Sequence, residues 1–297
     1  MAFAEEIQRF GKTHPFAEEK IDGISTRYLL CGKADARYTL VYLVGGTGIS
    51  DVWFNHIIQM EEDYRILTFD YPMEINDLEQ LADHIMKLIK KLDIKNIVLI
   101  GASLGGFIAQ LIARRYSDMV SAVALYSTCS LSLSSIADLK KQYKSYGVMM
   151  GLMKVVPYSW IKKMLFAASK KQVGMENENP INRTYMEDFF AWIYGQYTKE
   201  FDLHMTGLII NVADIKPFEL SDYKRFDDKT LLVLPKADKA FSEAAQADLL
   251  LSMPKAKAVK VEGGHTATLY KVDEYVRETR EFLETDLRRL LDHSFLF

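Results

Sequence analysis

Gly101-Ala102-Ser103-Leu104-Gly105 follows the apolar run Asn96-Ile97-Val98-Leu99-Ile100 and leads into Gly106-Phe107-Ile108-Ala109-Gln110-Leu111-Ile112-Ala113. The first run reads as a buried strand and the last as a mostly apolar helix laid against a sheet. Between them, Gly-x-Ser-x-Gly has the form of a nucleophile elbow, a sharp strand-to-helix turn that lifts a serine hydroxyl above a parallel sheet. Such a turn places the serine at positive φ and leaves little room for side chains two residues before and after it. Glycine stands at both positions, and Gly106 lets the following helix sit close to the strand. Three fixed residues are a short pattern, so its weight rests on context: a strand before, a helix after, and two partners downstream.

Outward from this turn, strands alternate with helices. Upstream, Gly23–Cys31 reads as an early strand after a short helix from about Phe3 to Phe10. Tyr38–Val44 is almost continuously apolar, as expected of a strand buried on both faces, and it runs into Gly45-Gly46-Thr47-Gly48. A helix through Trp53, Phe54, Ile57 and Ile58 follows, then a strand from Tyr64 to Asp70. An amphipathic helix is predicted from about Ile75 to Leu92, with Leu78, Leu81, Ile85, Leu88 and Ile89 on one stripe. Val120–Tyr126 closes this half. The rhythm resumes with strands at Thr230–Leu234 and Ala256–Val261, a helix near Ser242 to Leu251, and a last amphipathic helix through Val272, Tyr275, Val276, Phe282 and Leu283. This order predicts an α/β fold, a mostly parallel doubly wound sheet.

The break in the rhythm is informative. Between Leu131 and Arg225 no strand is evident, and the segment is helical and rich in Tyr, Trp, Phe and Met. The expected organisation is a core made of residues 1–130 and 226–297, with residues 131–225 as a helical insertion leaving the carboxyl edge of the sheet.

Composition narrows the partners. With 297 residues, 49% hydrophobic and 26% charged, the chain suits one large domain or one domain with an insertion. A formal net charge of −3 gives no electrostatic reason to expect nucleic acid or an anionic membrane as partner. The pairs Lys140-Lys141, Lys162-Lys163 and Lys170-Lys171 read as solvated helix faces. No stretch approaches the roughly 18 apolar residues of a membrane span. The opening Met1-Ala2-Phe3-Ala4-Glu5-Glu6 lacks the basic and apolar regions of a secretory signal. Cys31 and Cys129 have no metal-like spacing and read as buried free thiols, with Cys129 near the rim of the site; a cytoplasmic setting is expected.

A serine hydroxyl needs a base to become nucleophilic, and the base needs a third group to fix its tautomer. In a doubly wound sheet these groups belong in loops past the carboxyl ends of strands. Asp238 sits four residues past Leu234, and His265 four residues past Val261, after Gly263-Gly264. Asp227 and Asp228 precede their strand, and Asp138 lies far beyond Tyr126. His14 and His293 lie near the termini, His56 and His84 within predicted helices, and His204 in the insertion; these read as structural or solvated. Donors for a developing oxyanion are expected from the N–H of Leu104 and from Gly46, with Thr47 as the alternative. The Gly-Lys-Ser/Thr ending of a phosphate loop is absent from Gly45–Gly48, which argues against nucleotide binding.

On these residues the chain resembles a serine α/β-hydrolase along nearly its full length. The resemblance implies Ser103 as nucleophile, His265 as general base and acid, Asp238 as orienting carboxylate, and the helical insertion as a cap over an apolar pocket. Val44 departs from the histidine that many such proteins carry before the oxyanion loop. The implied activity is cleavage of an apolar ester, thioester or lactone through an acyl-enzyme, with a small acyl substrate and no metal or cofactor. Two alternatives stand beside it: a carbon–carbon bond hydrolase or aminopeptidase using the same residues, and a weakly catalytic or non-catalytic ligand-binding or scaffold protein. Aspartate-nucleophile dehalogenase and epoxide-hydrolase chemistry is disfavoured by Ser103 itself. Oligomeric state is not legible.

Overall fold

The computed structural model describes residues 3–176 and 179–287; Met1, Ala2 and His293 lie outside them. In chain order the elements are α1 (Phe3–Thr13), β1 (Ala17–Ile21), β2 (Ile24–Gly32), β3 (Thr39–Leu43), α2 (Phe54–Met60), β4 (Arg65–Phe69), α3 (Leu78–Lys91), β5 (Ile97–Ala102), α4 (Leu104–Arg115) and β6 (Val120–Tyr126). Five long helices follow: α5 (Leu133–Gln142), α6 (Lys144–Val155), α7 (Tyr158–Glu176), α8 (Pro180–Gln196) and α9 (Lys199–Asn211). The chain then returns through α10 (Leu220–Tyr223), β7 (Thr230–Pro235), α11 (Glu243–Ser252), β8 (Lys257–Val261), α12 (Ala267–Tyr270) and α13 (Val272–Glu281).

The strands form one sheet in the order β1-β2-β4-β3-β5-β6-β7-β8. β1 and β2 are antiparallel to each other, β2 is antiparallel to β4, and every other neighbouring pair is parallel. This is the α/β-hydrolase fold. The path from β3 to β4 moves toward one edge, whereas those from β4 to β5 and β5 to β6 move toward the other. Right-handed crossovers in opposite directions put their helices on opposite faces. Accordingly α3 packs on α4, and α2 packs on α13. The reversal also opens a crevice between the carboxyl ends of β3 and β5, the position where doubly wound sheets hold ligands.

Burial explains the elements. All five residues of β3 and all six of β5 are buried, matching their unbroken apolar runs. Leu78, Leu81, Ile85, Leu88 and Ile89 are all buried under α3, each contributing about 1.5–3 kcal/mol by leaving water. That helix starts at Leu78 rather than near Ile75, because the Asp77 side chain caps it by accepting from the N–H of Gln80 at 2.9 Å. Ile58 faces solvent although its helix neighbours are buried. β1 is absent from the sequence reading; its Ala-Glu-Glu-Lys-Ile buries a single side chain, Ile21. Between β6 and β7 the described residues form no strand beyond an isolated bridge, Ser132 to Phe218.

His56 in α2 is buried beside Trp53, and burial pushes its imidazole from the usual 6.5 down to about 3. Between those values the unfolded chain binds a proton that the folded chain does not, so stability falls as pH drops from about 6.5 toward 3. Each pH unit in that window costs about tenfold in the folding equilibrium. Urea unfolding of His56→Phe is expected to show a flatter loss between pH 7 and pH 5 than the parent. Equal slopes would contradict this source of acid sensitivity.

Candidate active site

The turn at Ser103 sets the geometry. Ser103 has φ 52° and ψ −117°, a strained conformation for a residue with a side chain. Backbone bonds hold it there: its N–H donates to the Tyr126 carbonyl at 3.0 Å, and its own carbonyl accepts from Gly106 N–H at 2.9 Å and Thr128 Oγ1 at 3.0 Å. A Cβ on Gly101 would collide with the Gly105 carbonyl, and one on Gly105 with the Leu43 carbonyl. Backbone offers neither of them a way to yield, so alanine at either position forces the strand and helix apart.

The three separated residues meet. His265 Nε2 lies 3.1 Å from Ser103 Oγ, and His265 Nδ1 lies 3.1 Å from both Oδ1 and Oδ2 of Asp238. The Asp238 side chain is fully buried, and its Oδ1 accepts the N–H groups of Ala240 at 2.8 Å and Phe241 at 3.0 Å. Those bonds fix the carboxylate before the imidazole reaches it. Phe241 also packs edge-on against the His265 ring. Asp227 and Asp228 lie in the turn entering β7, away from its carboxyl end.

The loop after β3 and the N-terminus of α4 hold the two N–H groups expected as donors. Gly45 approaches so closely that a Cβ on it would touch Ser103 Cβ at 3.4 Å. Leu104 opens α4, where an N–H has no intrahelical carbonyl to bond. Neither the Gly46 nor the Leu104 N–H has a hydrogen-bond partner among the described residues. Val44 is buried, and its carbonyl accepts the Tyr71 hydroxyl at 2.7 Å, so the loop is anchored without a histidine there.

Ser103 and His265 line a cavity of about 550 Å³ under the helical insertion. Tyr146, Met149 and Met153 of α6, Phe189, Phe190 and Tyr194 of α8, and Met205 of α9 face it, so aromatic and methionine side chains of the insertion supply much of its wall.

Known proteins place this architecture. A family model described as the alpha/beta hydrolase fold matches residues 38–150, which hold β3, the turn at Ser103 and β6. Over that stretch the chain is similar to α/β-hydrolases, and its sheet has their fold. An enol-lactonase from Burkholderia xenovorans LB400 superposes with a TM-score of 0.67 at 15% identity, covering 90% of this chain and 99% of that one. Maspardin from Rattus norvegicus is 36% identical over 80 residues, 27% of this chain and 30% of the rat protein. Proline iminopeptidase PfmaB from Pestalotiopsis fici is 31% identical over 120 residues, 37% of this chain and 42% of the fungal one. The matches thus span less than half of either relative.

Several features of the site differ from the sequence reading. Asp202, the fourth residue of α9, lines the same cavity and accepts the Tyr158 hydroxyl at 3.0 Å. Burial holds its carboxyl above the usual range. The pocket is therefore not wholly apolar, and no lysine or arginine lines it among the described residues. Thr47 Oγ1 and Thr266 Oγ1 are buried beside it with no hydrogen-bond partner among the described residues. Cys129 is not at the rim: it is buried and lines a separate cavity of about 430 Å³ beside Lys239, Ala240 and Phe241. Cys31 is half-buried rather than buried, and its thiol is pushed up to about 12 by burial and by Glu61. Among the described residues, His14, Cys31 and Glu61 bring potential metal-ligand atoms within 4.8 Å of one another. They sit by the amino ends of β3 and β4, across the sheet from Ser103, and His14 Nε2 is already hydrogen-bonded to Glu61 at 2.8 Å.

Proposed function

We propose that this protein is a serine hydrolase cleaving an apolar carboxylic ester, thioester or lactone. The observation that carries the reading is the continuous hydrogen-bond chain from Asp238 through His265 to Ser103 at the wall of the cavity. In this reading His265 Nε2 takes the proton from Ser103 Oγ as Oγ attacks the carbonyl carbon. Asp238 keeps the Nδ1 proton facing it and stabilises the imidazolium that forms. The Leu104 and Gly46 N–H groups receive the developing oxyanion. Collapse breaks the ester C–O bond, and His265 returns its proton to the leaving oxygen. Water then attacks the acyl-Ser103 by the same route, with no metal or cofactor.

Residues 131–225 act as the cap over the core made by 1–130 and 226–297, and a cytoplasmic setting fits the free thiols of Cys31 and Cys129. A fluorophosphonate probe is expected to label Ser103, with hydrolysis of uncharged short-chain esters. Absence of both supports the ligand-binding alternative instead.

Asp202 favours a second reading, in which the acyl group carries a protonated amine that the buried carboxylate receives. The similarity to a protein named proline iminopeptidase points the same way. Asp202→Asn is expected to lower kcat/KM for an aminoacyl ester by about 10-fold or more, the cost of a lost charge-assisted hydrogen bond, while sparing the ester without the amine. Equal effects on both substrates would discard the second reading.

A further inference from the structure

Residues 139–175 run from the end of α5 through α6 and α7 up to its last residue, Glu176, with eight lysines and no aspartate or glutamate, in a chain of net charge −3. The overall charge conceals this asymmetry. Lys141 pairs with Asp138, Lys170 with Glu187, and Lys162 donates to the Tyr197 carbonyl. Lys140, Lys144, Lys154, Lys163 and Lys171 are exposed, with no carboxylate partner among the described residues.

The same segment exposes large apolar side chains where its two helices meet. Val148, Leu152 and Val155 form the outward stripe of α6, and Trp160 and Met164 stand on the outer face of α7. Val155 is 80% exposed and Trp160 68%. The opposite faces of these helices line the cavity through Tyr146, Met149, Met153 and Leu165. α6 is therefore apolar on both sides, a pattern that ordinarily belongs to a helix covered on both sides. Its inner side has the cavity; its outer side stays largely open to solvent, from 41% exposed at Leu152 to 80% at Val155.

We propose that the α6–α7 corner docks on an anionic phospholipid surface. Trp160, Val155 and Leu152 enter the boundary between headgroups and acyl chains, and the surrounding lysines meet the lipid phosphates. Lysine around an exposed tryptophan and aliphatic side chains is the composition of helices that lie in a membrane interface. A nucleic acid offers nothing to Val155, Leu152 and Met164. A second copy presents the same lysines, so symmetric pairing would set like charges against each other. The proposal does not depend on turnover, and its test does not read activity.

The full chain is to be sedimented with vesicles of phosphatidylcholine alone and of phosphatidylcholine mixed with phosphatidylserine, at low and high salt. Binding to the mixed vesicles is expected, with a blue shift of tryptophan emission and weakening by salt. Trp160→Ser should remove the shift. The combined variant Lys154→Gln, Lys163→Gln, Lys171→Gln should bind about 100-fold more weakly, from about fivefold per lysine. All four side chains are exposed, and circular dichroism checks that the variants fold. Equal binding to both vesicle types, binding to neither, or full binding by the variants would overturn the proposal. So would self-association abolished by Trp160→Ser in a chain that ignores vesicles.

Discussion

Ser103→Ala is expected to lose ester hydrolysis by at least about 10⁴-fold and to lose fluorophosphonate labelling completely. The substitution removes one oxygen and keeps Cβ, so the strained φ of 52° and the bonds from Tyr126, Gly106 and Thr128 to the Ser103 backbone are untouched. An unchanged melting temperature should accompany the loss. What disappears is the atom 3.1 Å from His265 Nε2. The donors at Leu104 and Gly46 remain and can still polarise a bound carbonyl, so a small residual rate and a nearly unchanged KM are expected. Turnover within tenfold of the parent would remove Ser103 from the chemistry. It would also leave the meeting of Ser103, His265 and Asp238 without a purpose.

Much of this arrangement was legible because burial and chemistry wrote the same residues. β3 and β5 are apolar without interruption because both their faces are covered, and only a parallel sheet between helices requires that. The glycines at 101 and 105 mark a turn that admits no Cβ at either place. Asp238 and His265 are singled out in the sequence by their positions past strand ends, since the crevice of a doubly wound sheet lies there.

Other features were lost for equally physical reasons. β1 lies on an edge, is mostly exposed, and lacks the apolar alternation by which strands are recognised. Its hairpin did leave a signal: Asp22 and Gly23 both take positive φ, 52° and 87°, as a two-residue turn between twisted strands demands, and Asp-Gly is the dipeptide such turns favour. Asp202 beside Glu200 reads as a first-turn acid of a helix, and its burial arises from where α9 docks. The corner of α6 and α7 misleads in the opposite direction. Methionines, valines and a tryptophan in a helical segment read as core, and only the assembled insertion separates the side chains facing the cavity from those facing out.

The second large effect belongs to Asp238→Asn, expected to lower kcat by about 10⁴-fold with little change in KM. Oδ1 of Asp238 accepts two backbone N–H groups, from Ala240 and Phe241. An asparagine must therefore keep its carbonyl oxygen at that position and turn its NH₂ to the place of Oδ2, the other atom 3.1 Å from His265 Nδ1. The NH₂ donates and Oδ1 already accepts two N–H groups, so the pair favours Nδ1 as acceptor. The imidazole proton then sits on Nε2, pointed at Ser103 Oγ, and His265 can no longer take the serine proton. Packing is preserved, which separates this variant from a disruption of the loop. Melting temperature should stay near the parent's, and substrate should still bind while turnover collapses. At high pH, where Ser103 can lose its proton to hydroxide, part of the rate is expected to return. A variant within tenfold of the parent in kcat at neutral pH would show that the carboxylate only braces the loop from Pro235 to Phe241.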